Sequence, residues 1–324
     1  MNVKKRDHHY VFQAYLKHWA NEKDNKLWCL RDKEPFPVTP KNVAFEKDLY
    51  RVLPLNKKEI EFIKLFFGKY GSAFKKGVDD FLTLYTSLDT YEKGFTELRA
   101  LFPKDCPEAE EAMADINDML DIARNNLTED TFAEFEGEAT TWLNILCEEN
   151  ISYFHNSNEE REKLINFICM QYFRTVKIRN NILLVLKEAE KFFINDQFPK
   201  GCLRAENLVF PMLWIISARC ADALLKAPLS IIINKTSTAF ITSDQPVINI
   251  KADYNDLSSE PSDLVLYYPI SPLVAVLIND HNAEIKVELD SEKDVEQYND
   301  LIKKASNKMI FSDTLASLGK YINN

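Results

Sequence analysis

Glycine is scarce, with seven in 324 residues, and none lies in a Walker A or GxGxxG run, so the chain lacks the backbone that a phosphate-cradling loop needs. There is no CxxC pair among its six cysteines (Cys29, Cys106, Cys147, Cys169, Cys202 and Cys220). Their scatter among apolar neighbours reads as reduced core residues rather than a zinc site or a disulfide framework. No GxSxG elbow, HExxH helix or EF-hand loop occurs, and the Arg-x4–6-His pairing of many small helical RNases is missing. No run reads as the roughly 20 apolar residues that span a bilayer. The opening MNVKKRDHHY carries charge with no apolar stretch behind it, unlike a secretory signal. These features set the expectation of a cytoplasmic protein with no membrane partner.

Positive charge is also in deficit. Forty Lys and Arg against fifty Asp and Glu leave a formal charge of −10, which repels nucleic acid from the average surface and restricts any such contact to a local basic site. Two groups qualify, Lys4-Lys5-Arg6 and Arg174, Lys177 and Arg179, although groups like these ordinarily decorate a solvated face. Aromatics and aliphatics are ample: 21 Phe, 13 Tyr, 4 Trp and 46% hydrophobic residues overall supply a substantial core.

Hydrophobic periodicity divides the chain into three consecutive regions. In residues 1–56, Phe12, Tyr15, Leu16 and Trp19 fall at helical spacing, and KLWCLR at Lys26–Arg31 opens a hairpin. Residues 57–228 read as a bundle of about six helices. Breaks are expected near Gly71, Leu101–Pro107, Asn125–Thr128, Asn156 and Pro199–Gly201, with one long helix from Glu159 to about Phe193. Residues 229–324 carry strand-like runs (LSIIINK, TAFIT, PVINIK, DLVLYYPI, LVAVLI, EIKVEL), then a helix near Ser291–Ala305 and a short MIFS strand. The fold class is α+β: a helical region with a C-terminal, mostly antiparallel sheet, joined by the N-terminal helix and hairpin as one compact unit.

Several motifs stand in order along this frame. They are His8-His9-Tyr10-Val11 with Tyr15-Leu16, PKNVA at Pro40–Ala44, QxxRT at Gln171–Thr175, TSDxPV at Thr242–Val247, and PxSP at Pro269–Pro272. Together they resemble the bacterial domain-of-unknown-function family 4238 over most of the chain. Phe12 stands where the family's HHYVP has proline, a residue suited to a first helical turn. The resemblance implies the motif set but no activity.

The residue types allow a chemical reading. His8 and His9 precede a helix start, where a neutral imidazole serves as base or metal ligand, but adjacent histidines in extended chain point to opposite sides. Gln171 and Arg174 share a helix face, where Arg174 would stabilise a phosphoryl oxygen or pair with a carboxylate. Ser243 and Asp244 end a strand, and Asp244 would bind a cation or cap its own turn. Glu134, Glu136 and Glu138 offer a second carboxylate or a charged surface stripe. Glu284-Ile285-Lys286 matches the end of a PD-(D/E)xK nuclease core, a tripeptide common by chance in so charged a chain.

The expectation drawn from these residues is a phosphodiesterase or nuclease, by analogy a toxin or phage-defence effector. Its catalytic set is His8, His9, Gln171, Arg174 and Asp244, with Tyr10, Ser243 and Glu138 in support and Mg²⁺ or Mn²⁺ held by Asp244 and His9. The alternative is a non-catalytic module that binds a phosphate-bearing ligand or a protein, with the motif residues forming a structural polar network. Position separates the two: open convergence favours chemistry, and burial with partners favours the network.

Overall fold

A computed structural model of the protein describes residues 3–254 and 261–322. The architecture is α+β, with a helical region and mixed sheets. The contacts divide it into two units that interleave along the chain. The first takes the chain up to His8, Glu46–Ala133 and Arg179–Ile215; the second takes His9–Phe45, Glu134–Ile178 and the chain from Ile216 onward.

In chain order the helices are α1 (Gln13–Leu16), α2 (Lys57–Phe67), α3 (Ser72–Tyr85), α4 (Ser87–Arg99), α5 (Pro107–Cys147), α6 (Ser152–Asn156), α7 (Asn158–Phe173), α8 (Val176–Phe192), α9 (Ala205–Leu224), α10 (Glu292–Ala305) and α11 (Leu315–Ile322). The strands are β1 (Asp7–His9), β2 (Leu27–Arg31), β3 (Glu34–Val38), β4 (Phe45–Lys47), β5 (Leu229–Asn234), β6 (Thr242–Ser243), β7 (Ile248–Asn249), β8 (Leu266–Pro269), β9 (Val274–Ile278), β10 (Lys286–Leu289) and β11 (Met309–Ser312). The chain passes from the first unit to the second inside β1 and back inside β4, and α5, α8 and α9 supply residues to both.

The first unit packs helices around an aromatic core. Tyr50 meets Phe132 edge-on and Phe210 tilted, while Trp214 stacks on Phe81 and Phe132. Asn56 starts α2 with a capping box, its side chain accepting from Lys58 and Glu59 N–H while Glu59 reaches back to the Asn56 N–H. Glu59 is fully buried yet well satisfied, since Arg204 donates to it from its backbone and its guanidinium.

The expected break at Asn125–Thr128 does not occur, because α5 runs through it. The helix tolerates the two asparagines because their side chains have other work: Asn126 accepts from the Lys5 N–H at 2.8 Å and donates to the Val3 carbonyl at 3.0 Å, and Asn125 donates to the Lys5 carbonyl. They fix the N-terminal arm instead of bonding back to their own helix.

The second unit holds two sheets. One is five-stranded, ordered β10-β5-β9-β8-β7, antiparallel except for the β10–β5 pair; the other is four-stranded, ordered β3-β2-β11-β6, and antiparallel. The expected N-terminal hairpin is β2–β3, and it joins the same sheet as the C-terminal MIFS strand. Every residue of β5 is buried, as its near-continuous aliphatic run requires. Val295, Ile302 and Ala305 of α10 complete the core with Ile232, Tyr267 and Leu277. TAFIT and PVINIK yield only the two-residue strands β6 and β7.

The long helix expected from Glu159 to Phe193 is two helices, broken at Arg174 and Thr175. Thr175 donates its hydroxyl to the Gln245 side chain, and Gln245 Nε2 donates to the Tyr172 carbonyl at 3.2 Å. The last turn of α7 therefore finds its partners in the loop after β6 rather than in a continuing helix.

Candidate functional site

The motif residues of the second unit meet at three points. At the first, Tyr10 donates its backbone N–H to the Ala44 carbonyl at 2.9 Å. Its own carbonyl accepts from Gln171 Nε2 at 2.8 Å and from Arg174 Nε at 3.3 Å. HHYV, PKNVA and QxxRT are thus tied through one residue. At the second, the buried Tyr15 hydroxyl donates to the Pro269 carbonyl at 2.7 Å and lies 2.6 Å from Thr242 Oγ1, joining Tyr15-Leu16, TSDxPV and PxSP. Burial, with Tyr268 adding to it, holds the Tyr15 phenol well above its ordinary range.

Asp244 makes the third. It is 1% exposed, and its carboxylate accepts the backbone N–H groups of Asn307 and Lys308 at 2.8 Å and of Met309 at 3.1 Å. It therefore anchors the entry to β11 and does not cap its own turn. Ser243 performs that local task, accepting from the Gln245 N–H and donating to the Gln245 carbonyl. Burial raises the Asp244 carboxyl above its usual value, opposed by the three N–H bonds and by Lys177. Lys177 donates to the carbonyls of Lys304, Ala305 and Ser306, so its ammonium closes the C-terminal end of α10.

The two histidines point apart as extended chain dictates. His8 belongs to the first unit, fully buried, where Nδ1 accepts the Tyr50 N–H at 2.9 Å and Nε2 donates to the Lys5 carbonyl at 3.0 Å. His9 belongs to the second, where Nε2 donates to the Lys41 carbonyl at 3.0 Å and Nδ1 accepts from Gln13 at 3.2 Å. These bonds fix a neutral tautomer on each ring and engage both ring nitrogens.

A divalent cation on His9 would have to displace the bond from Gln13 at Nδ1 or the proton that Nε2 donates to Lys41, so the ring as it stands does not fit one. Among the described residues no group of three or more His, Cys, Asp or Glu is placed to hold a metal. Glu138 is exposed and lies 4.0 Å from Lys163, on the solvated stripe. The basic clusters are largely committed as well. Lys4 pairs with Asp121, Lys5 with Asp130 and Arg6 with Asp48, the last holding the Asp48 carboxyl down at about 2.

One participant was named in the sequence without its role, and one was missed. Glu136 accepts from Arg174 Nη2 at 2.5 Å, so the middle glutamate of the three is the partner. One signal was available: on a helix whose Ala139 and Leu143 are buried, Glu136 lies three and seven residues before them and so faces inward. Tyr268 is the other. Its ring stacks on Tyr15 at 4.8 Å between centroids, and its buried hydroxyl has no hydrogen-bond partner among the described residues. Burial drives that phenol far up, and Arg174 and Glu136 lie near enough to act on it with opposite signs. Gln171 Oε1 is likewise buried without a partner among the described residues. Gln171 and Arg174 thus share the Tyr10 carbonyl, Arg174 pairs with Glu136, and Tyr268 lies within electrostatic reach of that pair.

A Cys147–His18 contact of 3.6 Å is no activated nucleophile. His18 Nδ1, the nitrogen facing the sulfur, donates its proton to the Ile270 carbonyl at 2.9 Å, and burial pushes the Cys147 thiol up.

Fold and centre define an α+β protein whose motif segments are fastened together by buried polar bonds. The chain belongs to the family Protein of unknown function (DUF4238), whose model matches residues 7–315. No curated protein and no solved structure matches it. Among the described residues one helix, α9, is long and apolar enough by length and composition to cross a membrane, and half of it is buried within the protein.

Proposed function

We propose that the motif residues are a structural lock and that the protein acts as a non-catalytic binding module. The observation that carries this reading is Asp244, whose oxygens accept three backbone N–H groups at full burial. In-line attack on phosphorus needs a base, a charge stabiliser and a carboxylate facing the substrate. Here Asp244 holds β11, Arg174 is paired, and each histidine uses both ring nitrogens.

The ligand this reading assigns to the second unit is a phosphate-bearing small molecule at the Gln171–Arg174–Glu136–Tyr268 centre. Buried polar atoms without partners call for an explanation, and a bound group is one. A hydrogen phosphate offers both complements: a P–OH donates to Gln171 Oε1 and another oxygen accepts from the Tyr268 hydroxyl, while Arg174 keeps its pair with Glu136.

Two assays test it. Thermal unfolding with inorganic phosphate and nucleoside monophosphates should show a concentration-dependent rise in Tm. Labelled DNA and RNA with Mg²⁺, Mn²⁺ or EDTA should remain uncut. Cleavage by the wild type that disappears in a folded Asp244→Asn variant would restore the phosphodiesterase reading and overturn this one.

A further inference from the structure

We propose that Cys169 and Cys220 form a peroxide-sensitive dithiol that closes to a disulfide between α7 and α9. The two residues are 51 positions apart, both are free thiols, and their sulfurs are 3.7 Å from one another, with the Cys169 thiol donating to Cys220 Sγ. A disulfide needs about 2.05 Å, so the sulfurs must close by roughly 1.7 Å. Both cysteines lie in the second unit. The inference stands on their geometry and is independent of the ligand proposed above.

The pair is asymmetric. Cys169 is fully buried and Cys220 is partly exposed, so a small oxidant meets Cys220 first. The hydrogen bond from Cys169 lowers the Cys220 thiol, the nearby Arg219 charge adds to this, and burial opposes both. Cys169 is raised in turn by the same bond and by its burial. Cys220 is therefore the attacking sulfur and Cys169 the resolving one.

The chemistry balances in two steps. The Cys220 thiolate attacks hydrogen peroxide, an S–O bond forms as the O–O bond breaks, and the sulfur is oxidised to sulfenic acid while hydroxide leaves. Cys169 sulfur then attacks Cys220 sulfur, the S–S bond forms as the S–O bond breaks, and the departing hydroxide takes the Cys169 proton as water. Cys169 lies two residues before Gln171 in the last turns of α7, so the bond would fasten the turn that carries Gln171 and Arg174.

The test treats the reduced protein with a few equivalents of hydrogen peroxide, blocks remaining thiols with N-ethylmaleimide in denaturant, and maps peptides by mass spectrometry without reduction. The expected result is a Cys169–Cys220 crosslinked peptide, lost on adding dithiothreitol, with the other four cysteines alkylated. In a Cys169→Ser variant a sulfenic-acid probe should label Cys220, and a Cys220→Ser variant should react with peroxide roughly tenfold more slowly. Recovery of both peptides fully alkylated at doses that oxidise Cys106 would overturn the proposal, and the wild-type map decides this even where a variant fails to fold. Probe label on Cys169 in the Cys220→Ser variant, at an undiminished rate, would overturn the assigned order of attack.

Discussion

Asp244 and Met309 bond each other in both directions. The Asp244 N–H donates to the Met309 carbonyl at 3.1 Å, and the Met309 N–H donates to Asp244 Oδ2 at 3.1 Å. One strand-end carboxylate thus sets the register of β11 against β6, where Ile310 pairs with Ser243. Asp244→Ala should cost about 3 kcal/mol, since it leaves several buried N–H groups without an acceptor, and Asp244→Asn about 1 kcal/mol, since one acceptor oxygen remains. The pH dependence has a defined sign. The folded carboxyl is raised above 3.8, so the native state holds its proton over a window where the unfolded chain has released it. Stability from this group is therefore full below that value and declines as pH rises through the raised folded pKa. Urea unfolding across mildly acidic pH should show that decline in the wild type and a flatter profile in Asp244→Asn.

Arg174 and Glu136 are a largely buried ion pair, and breaking one side leaves the other inside the protein. Arg174→Met should destabilise by about 3 kcal/mol, and Arg174→Lys should not rescue it, because an ammonium lacks the fork that reaches both Glu136 and the Tyr10 carbonyl. Glu136→Gln should cost less, since Glu136 keeps some exposure and the amide oxygen still accepts. A double-mutant cycle in urea checks the pairing: the combined loss should fall short of the sum of the single losses by about 1 kcal/mol or more.

Much of this architecture was legible in the sequence because period and punctuation carry it. The β2–β3 hairpin, the α10 helix and the MIFS strand follow from alternation and apolar spacing, and each stands where expected. The misses have a common cause. Asn125 and Asn126 read as breakers because local propensity ignores the N-terminal arm they hold, and the α7–α8 break was invisible because its cause, Gln245, lies 70 residues from Thr175. The site behaves likewise. Motif order pointed to residues that do bond one another, while the identity of each bond depends on partners far away in sequence. Tyr268 was overlooked because a tyrosine in an apolar strand reads as core.

Phe12 offers a direct test of the departure from HHYVP. Its φ of −60° is one proline adopts without strain, and it is the N-cap residue of α1 rather than its first helical position. The ring adds what proline lacks: it is buried and meets Phe167 edge-on at 6.3 Å. Phe12→Pro should therefore keep the backbone and lose packing, for a net cost of about 2 kcal/mol. Phe12→Ala should be worse, since it loses the ring without gaining the fixed φ. Chemical denaturation of the three proteins orders them, and Phe12→Ala proving more stable than Phe12→Pro would show that the chain there needs a different backbone angle.

Tyr268 separates structure from binding. Its hydroxyl is buried and makes no hydrogen bond to the described residues, so it has given up water without gaining a partner among them. Removing such a group relieves a desolvation cost, and Tyr268→Phe should leave stability unchanged or raise it by about 1 kcal/mol, with the stack on Tyr15 preserved. Tyr267 is the internal control, because its hydroxyl is also buried and unpartnered but its ring stacks on Tyr298 at 4.5 Å, among the residues of the sheet core. If phosphate binds at the Arg174 centre, the Tm rise it causes should be lost in Tyr268→Phe and kept in Tyr267→Phe, at equal or greater intrinsic stability. If both variants respond as the wild type does, the Tyr268 hydroxyl does not meet the ligand, and the binding reading of that centre fails while the lock formed by Tyr10, Tyr15 and Asp244 stands.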